Sequence, residues 1–387
     1  MGVIDVPQPA FMEDEEISIF ADAVGKFYEK HAPEKRVLKW REDGQVEREF
    51  WREAGEAGLL GTSVPEEYGG HGGDFRHEMV VIDQQGKHGV EGFSASLHNT
   101  VILPYLVRHG TEEQKKKYLP KLVTGELVSA IAMTEPGVGS DLQSITTTAI
   151  QDGNGYRING AKTYISNGQT ADFIIVVAKT DPKERAKGIS LMLLETEGAE
   201  GFQRGKKLDK VGLDAQDTSE LFFDDVFVPS DAVLGGVEGQ GFYQLMGELP
   251  QERLIIAMGA MTTIERALEE TVAYVKDRKA FGKTIWDFQN TQFTLADLKA
   301  RGTAARIFVN DCIAKHLESK LDVPTACMAK YWLTELQGEV VDKCLQLHGG
   351  AGYINDYPIA RMYRDSRITR IFGGSNEIMK MVIARSI

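Results

Sequence analysis

The spacing of apolar residues changes twice along this chain, and that double change limits its possible folds more than any other feature. Phe20, Val24 and Phe27, then Phe50, Ala54 and Leu59, recur at helical spacing. Gly58, Gly61 and the glycine-rich run from Tyr68 to Gly73 break the chain between helices. Thr111 to Val123, with Glu112 and Glu113 at its start, reads as a capped surface helix. From Val128 the period drops to two. Asn154-Gly155, Asn159-Gly160 and Asn167-Gly168 are turn or hairpin signals among short β-rich runs such as Phe173–Val177, Ser190–Leu194 and Glu220–Phe223. An antiparallel sandwich or barrel fits this stretch. After Gly241 the helical period returns over Leu254–Val275, Phe288–Leu317 and Val323–Leu347, each with a broad apolar face, which predicts a bundle. With 387 residues, two or three cores are expected. The boundaries fall at residues 1–127 (helical), 128–235 (β) and 236–387 (helical).

Composition narrows the partners. A formal net charge of -13 argues against nucleic acid, whose phosphates need a basic surface. No run of about 18 apolar residues suggests a membrane anchor. The segment from Met1 to Glu16 is acidic, the wrong composition for a transit peptide, so a cytoplasmic protein is expected. Cys312, Cys327 and Cys344 lie in helical patterns without metal-ligand spacing and read as reduced, buried small hydrophobes. The eight histidines form no i, i+4 pair and no cluster with carboxylates, so no metal site is expected.

One loop invites a chemical reading. Ile131-Ala-Met-Thr-Glu-Pro-Gly-Val-Gly-Ser-Asp141 sets a proline and two glycines beside hydroxyl donors, a composition that exposes backbone amides to an electron-rich ligand. Taken alone it fits an ordinary turn at least as well. It lacks the Gly-Lys-Ser/Thr end of a phosphate loop and is not a dinucleotide fingerprint.

The stretch Met133–Asp141 resembles the first signature of the acyl-CoA dehydrogenase family. Gln346-Leu-His-Gly-Gly350 followed by Arg367–Glu377 resembles the second, and Arg278–Lys283 with Gln289 a third block, in the family's order. The resemblance implies an N-terminal helical domain, a middle β-barrel and a C-terminal four-helix bundle. It implies FAD as cofactor, with Ile131, Ala132, Met133 and Thr134 and then Tyr164, Ile165 and Ser166 facing the isoalloxazine ring. Tyr164 stands where many members have Trp. Gly139 and Ser140 would serve the flavin phosphate or the acyl-CoA. Arg278, Phe281, Gln289, Gln346, Leu347, His348, Gly349 and Gly350 would hold the pyrophosphate and adenosine of FAD from a neighbouring subunit, in keeping with Arg as a phosphate fork and Gly as a residue of close approach. Ser375, Asn376 and Glu377 would complete that site. The implied reaction converts a fatty acyl-CoA to its trans-2-enoyl-CoA and passes electrons to an electron-transferring flavoprotein. The implied assembly is a homotetramer built as a dimer of dimers. A flavin acyl-CoA oxidase on the same fold and a non-catalytic scaffold are the alternatives.

This chemistry needs a base for the α-proton. Many members carry a Glu in the second signature two residues before Ser375; this chain has Gly373 there. The run Glu248-Leu-Pro-Gln-Glu-Arg-Leu254 matches the long-chain members, which carry the base on another helix, and so points to Glu252. Read without the resemblance, Pro250 starts a helix and Glu252 complements its dipole in the first turn. Gly373 would keep a backbone N–H for the thioester carbonyl beside Gly374. Tyr243, Gln251 and Arg253, with Ser140, would line the substrate or CoA channel. The acyl pocket floor is expected on Leu97–Leu106, around Pro104, and on the segment numbered in the 240s.

Overall fold

A computed structural model describes residues 2–387. The first helical layer contains α1 (Glu15–His31), α2 (Glu34–Asp43), α3 (Arg48–Glu56), α4 (Phe75–Lys87), α5 (Ala95–Leu97), α6 (Leu103–His109) and α7 (Glu112–Val123). Asp14 caps α1 by accepting from the Glu16 N–H at 3.1 Å, and the helix buries Ile17, Val24, Phe27 and Tyr28 along one stripe. Thr111 and Gln114 form the capping box that begins α7. Leu59 is buried but lies beyond α3 in a turn, so it extends that helix's apolar face without belonging to it. Between α5 and α6, His98–Ile102 form a single π turn.

The middle layer is one curled seven-stranded sheet. Its strands are β1 (Ser129–Ala132), β2 (Thr148–Asp152), β3 (Gly155–Ser166), β4 (Phe173–Lys179), β5 (Ile189–Glu195), β6 (Phe202–Lys207) and β7 (Thr218–Pro229). The path runs β1-β4-β2-β3-β7-β6, with β5 on the other edge of β4. It is antiparallel except where β4 meets β1 and the end of β2. The continuous apolar run of β4 now has a reason. Phe173, Ile175 and Val177 face the core shared with the helices, while Ile174, Val176 and Ala178 face the sheet's own core. Of the turn signals, the β2–β3 loop is Gly153-Asn154, one residue earlier than Asn154-Gly155, with Gly153 at φ 60°. Asn159-Gly160 makes no turn. It sits inside β3 at a bulge, where Asn159 exchanges hydrogen bonds with Asp225 on β7.

The last layer holds three long helices, α8 (Gly241–Asp277), α9 (Gln289–Leu317) and α10 (Val323–His348), with the short hairpin β8 (Lys279–Ala280) and β9 (Lys283–Thr284) between α8 and α9. Two short helices, α11 (Pro358–Ser366) and α12 (Asn376–Ala384), close it. Pro250 does not start a helix: α8 runs through it from Gly241. The upstream turns persist because Gly241, Leu245 and Glu248 are buried, so tertiary packing outweighs the backbone hydrogen bond that proline cannot make. Glu252 therefore lies well inside a helix, away from any helix dipole end.

Candidate active site

Glu252 is the chemical centre of α8. It is 9% exposed, and burial raises its carboxyl to about 7, with Glu248 pushing the same way. The Tyr105 hydroxyl, from α6, donates to Glu252 Oε1 at 2.9 Å and opposes that rise. One turn earlier, Glu248 binds Arg108 and accepts from or pairs with His109 Nε2 at 3.0 Å, which ties the end of α6 to α8. A carboxylate poised near neutrality beside a cavity is what a general base requires.

The cavity has a volume of about 440 Å³ and brings Glu252 together with Ile131, Met133, Ser166, Phe372 and Gly373. Ile131 ends up there because β1 pairs in register with β4, which presents it opposite Ile175. Gly373 has φ 62°, and among the described residues its N–H has no hydrogen-bond partner. A Cβ there would stand 2.4 Å from Ile256 Cδ1. Ile256 on α8 thus fills the space that a side chain at 373 would take, and the left-handed backbone suits glycine.

The loop after β1 is built on a buried ion pair. Lys162 Nζ donates to the Met133 carbonyl at 2.9 Å and to Glu135 Oε1 at 3.0 Å. Burial lowers the lysine to about 8, while Lys162, the Thr146 hydroxyl and the Thr146 and Thr147 N–H groups hold Glu135 at about 2 against burial. Glu135 and Val138 exchange backbone hydrogen bonds, so the Pro136-Gly137 tip projects. Thr134 accepts from the Thr163 N–H at 2.9 Å. Ala132 is buried in the sheet, and Gly139 and Ser140 are exposed on the loop. A bulge between Lys162 and Ile165 turns Tyr164 outward to 69% exposure at φ 60°, while the Ile165 side chain points into the sheet core.

Several expected contacts lie elsewhere. Gln251 does not face the cavity: it donates to the Thr100 carbonyl at 2.7 Å and accepts from Arg108 at 2.8 Å. The Thr100 carbonyl is open to it because the residue four positions on is Pro104, which has no N–H to donate. Arg253 is buried against Cys327 on α10, with Nη1 3.2 Å from Sγ. Tyr243 is exposed on the first turn of α8. Asn376 is engaged internally, accepting from Lys330 at 2.9 Å and donating to Glu335 at 2.8 Å. Lys330 also binds the Gly374 carbonyl at 2.8 Å, which fixes the Gly373-Gly374 turn from behind. Ser375 precedes α12 and Glu377 is exposed in its first turn. The cavity wall opposite the sheet comes from α4 and Gly89–Gly92, with Leu97 and Val101, and not from Pro104 or the 240s segment.

Arg278, Phe281, Gln289, Gln346, Gly349 and Gly350 form a separate, exposed group outside that cavity. Tyr274 stacks on His348 at 4.3 Å and joins the ends of α8 and α10. Phe281 meets Phe288 at 6.2 Å, next to Gln289. Leu347 is half-buried and His348 buried, its Nδ1 bonded to the Cys344 carbonyl at 2.8 Å, so these two shape the group from beneath. Phe281 itself is 95% exposed.

Sequence reading missed Tyr105, Ile256, Lys330 and the α4 wall. Tyr105 is 147 residues from Glu252, and no local pattern connects them. Among the described residues no cluster of His, Cys, Asp and Glu could hold a metal, and no helix is long and apolar enough to cross a membrane.

Three family descriptions match the chain: "Acyl-CoA dehydrogenase, N-terminal domain" over residues 14–126, the middle domain over 130–226 and the C-terminal domain over 239–387. The long-chain specific acyl-CoA dehydrogenase of Sus scrofa is 48% identical over 374 residues, 96% of this chain and 86% of that protein. The crystal structure of an acyl-CoA dehydrogenase from Geobacillus kaustophilus superposes with a TM-score of 0.94 at 47% identity, covering 96% of this chain and 98% of that one. A glutaryl-CoA dehydrogenase from Mycobacterium smegmatis in complex with FADH2 superposes at 0.90 with 26% identity, over 100% of this chain and 97% of that one.

Proposed function

Since the chain belongs to the acyl-CoA dehydrogenase family, we propose that Glu252 removes the α-proton of a bound fatty acyl-CoA in the α,β-dehydrogenation that this family carries out. The single observation that supports this assignment is a buried carboxyl raised to about 7 in one cavity with the unpaired Gly373 N–H and the first-signature loop.

FAD is the cofactor, and the residues present fit it. Gly137, Gly139, Gly282, Gly349 and Gly350 each have open space where a side chain would begin. The exposed group supplies a guanidinium from Arg278 and amides from Gln289 and Gln346, the donors that a pyrophosphate and an adenosine need. Ile131, Met133 and Ser166 would take the ring beside the cavity. When bound, FAD supplies the acceptor for the two electrons that leave the β-carbon as hydride.

The rest belongs to the chain. The Gly373 N–H donates to the thioester carbonyl and stabilises the charge that develops there as the α-proton leaves. Lys330 holds the Gly374 carbonyl, so that donor is fixed before substrate arrives. Glu252 receives the proton, and Tyr105 orients its carboxyl. Ile256 and Ile255 exclude water from the wall around it. The exposed Arg278 group is separate from the cavity, so we assign it to FAD of a neighbouring subunit in a tetramer, with an electron-transferring flavoprotein as electron acceptor.

Glu252→Gln tests the assignment. The variant should keep FAD and bind acyl-CoA but lose turnover by a factor of about 100 to 10,000. A near-normal rate refutes the role of Glu252.

A further inference from the structure

The cavity that starts at Glu252 continues along α8. Glu252, Ile255, Gly259, Ala260, Thr263 and Arg266 line it from one helix face. Fourteen residues of helix separate the first from the last, about 21 Å of rise, which matches an extended acyl chain of about 16 carbons. The middle of the path is apolar or small. Its far end is not: Arg266 lines it beside Glu91, and both side chains are largely withdrawn from solvent, at 16% and 12% exposure.

Those two groups are incompletely satisfied. Arg266 makes no hydrogen bond among the described residues, with Nη1 3.7 Å from Glu91 Oε1 and Nε 3.9 Å from Glu270. Glu91 Oε2 accepts from Arg41 at 2.5 Å, but Oε1 is buried without a partner. The Arg266 guanidinium lies against Gly89, where an added Cβ would stand 2.4 Å from its nitrogens. Arg266 can only donate and an ionised Glu91 can only accept. A methyl group satisfies neither, and a carboxylate would pair with Arg266 while facing the charge of Glu91. A hydroxyl accepts from one and donates to the other.

Resting on the reading of Glu252 and its cavity as the acyl site, we propose that Arg266 and Glu91 form a subsite for a hydroxyl on the terminal carbon of a long acyl chain, making ω-hydroxyacyl-CoA thioesters a substrate class of this enzyme. The FAD-loaded enzyme is assayed for kcat/KM with hexadecanoyl-CoA, ω-hydroxyhexadecanoyl-CoA and hexadecanedioyl-CoA, and with dodecanoyl-CoA and ω-hydroxydodecanoyl-CoA, whose shorter chain leaves its hydroxyl in the apolar middle. The hydroxy-to-methyl ratio should be about tenfold higher for the longer pair, the worth of a hydrogen bond to a charged group. Arg266→Met should bring the two ratios together, and Gly89→Ala, which displaces the guanidinium, should do the same. Equal ratios in the wild-type enzyme, with both methyl-terminated acyl-CoA thioesters oxidised, overturn the subsite alone, as does a preference for hexadecanedioyl-CoA over the ω-hydroxyacyl thioester. Failure to oxidise any of the unsubstituted thioesters overturns the parent reading instead. The wild-type ratios decide the matter even if a variant fails to fold.

Discussion

At the residue scale the site depends on a carboxyl that folding makes harder to ionise. Glu252 has a folded value of about 7 against an ordinary 4.5. The unfolded chain therefore releases this proton first, and stability is lost as pH rises through that window. Glu252→Gln removes the loss and should stabilise the protein at pH 8 by up to about 3 kcal/mol while abolishing turnover, measurable by denaturant unfolding of the two proteins side by side. Tyr105 acts in the opposite direction by holding the carboxylate form. Tyr105→Phe should move the acid limb of the kcat/KM profile to higher pH; an unmoved limb would leave the tyrosine a packing role only. Gly373 and Ile256 form a second pair. Gly373→Glu should not rescue Glu252→Gln, because the side chain would meet Ile256 Cδ1 from a left-handed backbone. Adding Ile256→Ala opens that space, and recovery of activity only in the triple variant would be read by flavin reduction. Glu252 could be proposed as the base from sequence because its neighbours match a motif. Tyr105 and Ile256 were not, because their roles arise only when α6, α8 and the 373 turn meet.

At the element scale, the period changes placed the helices and the sheet, while local rules failed where packing outweighed them. Pro250 signals a helix start, yet α8 passes through it because the turns on both sides are buried. Asn159-Gly160 signals a turn, yet β3 continues with a bulge, because β7 supplies Asp225 as a partner on the facing strand. The contact between α4 and α8, which walls the acyl path, had no sequence signature. It relies on Gly86, where a Cβ would lie 2.4 Å from Thr262 Cγ2. Gly86→Val should therefore separate the helices and destabilise the fold by about 1–3 kcal/mol, seen in urea unfolding. A variant as stable as the parent would show that α4 can shift without strain.

At the scale of the whole molecule, the layers are locked by charge as well as by apolar surface. Arg41 on α2 reaches Glu91 at 2.5 Å, Asp214 beyond β6 at 2.7 Å and Asp365 on α11 at 2.8 Å, so one guanidinium joins all three layers. It is 7% exposed, and removing it would take from the buried Asp365 its cationic partner and leave Asp214 to Arg364 and Glu91 to Arg361 and Arg266. The exposed group around Arg278 has the opposite character, being open on this chain, as its proposed role in holding FAD requires. Arg278→Ala should lower FAD retention on dilution while leaving helix content unchanged, as followed by flavin fluorescence and circular dichroism. The most direct test of the central claim is the rate of anaerobic flavin bleaching by hexadecanoyl-CoA as a function of pH. The rate should rise with a midpoint near 7 and lose that rise in Glu252→Gln; a midpoint near 4.5, or bleaching of the variant at the parent's rate, would contradict it.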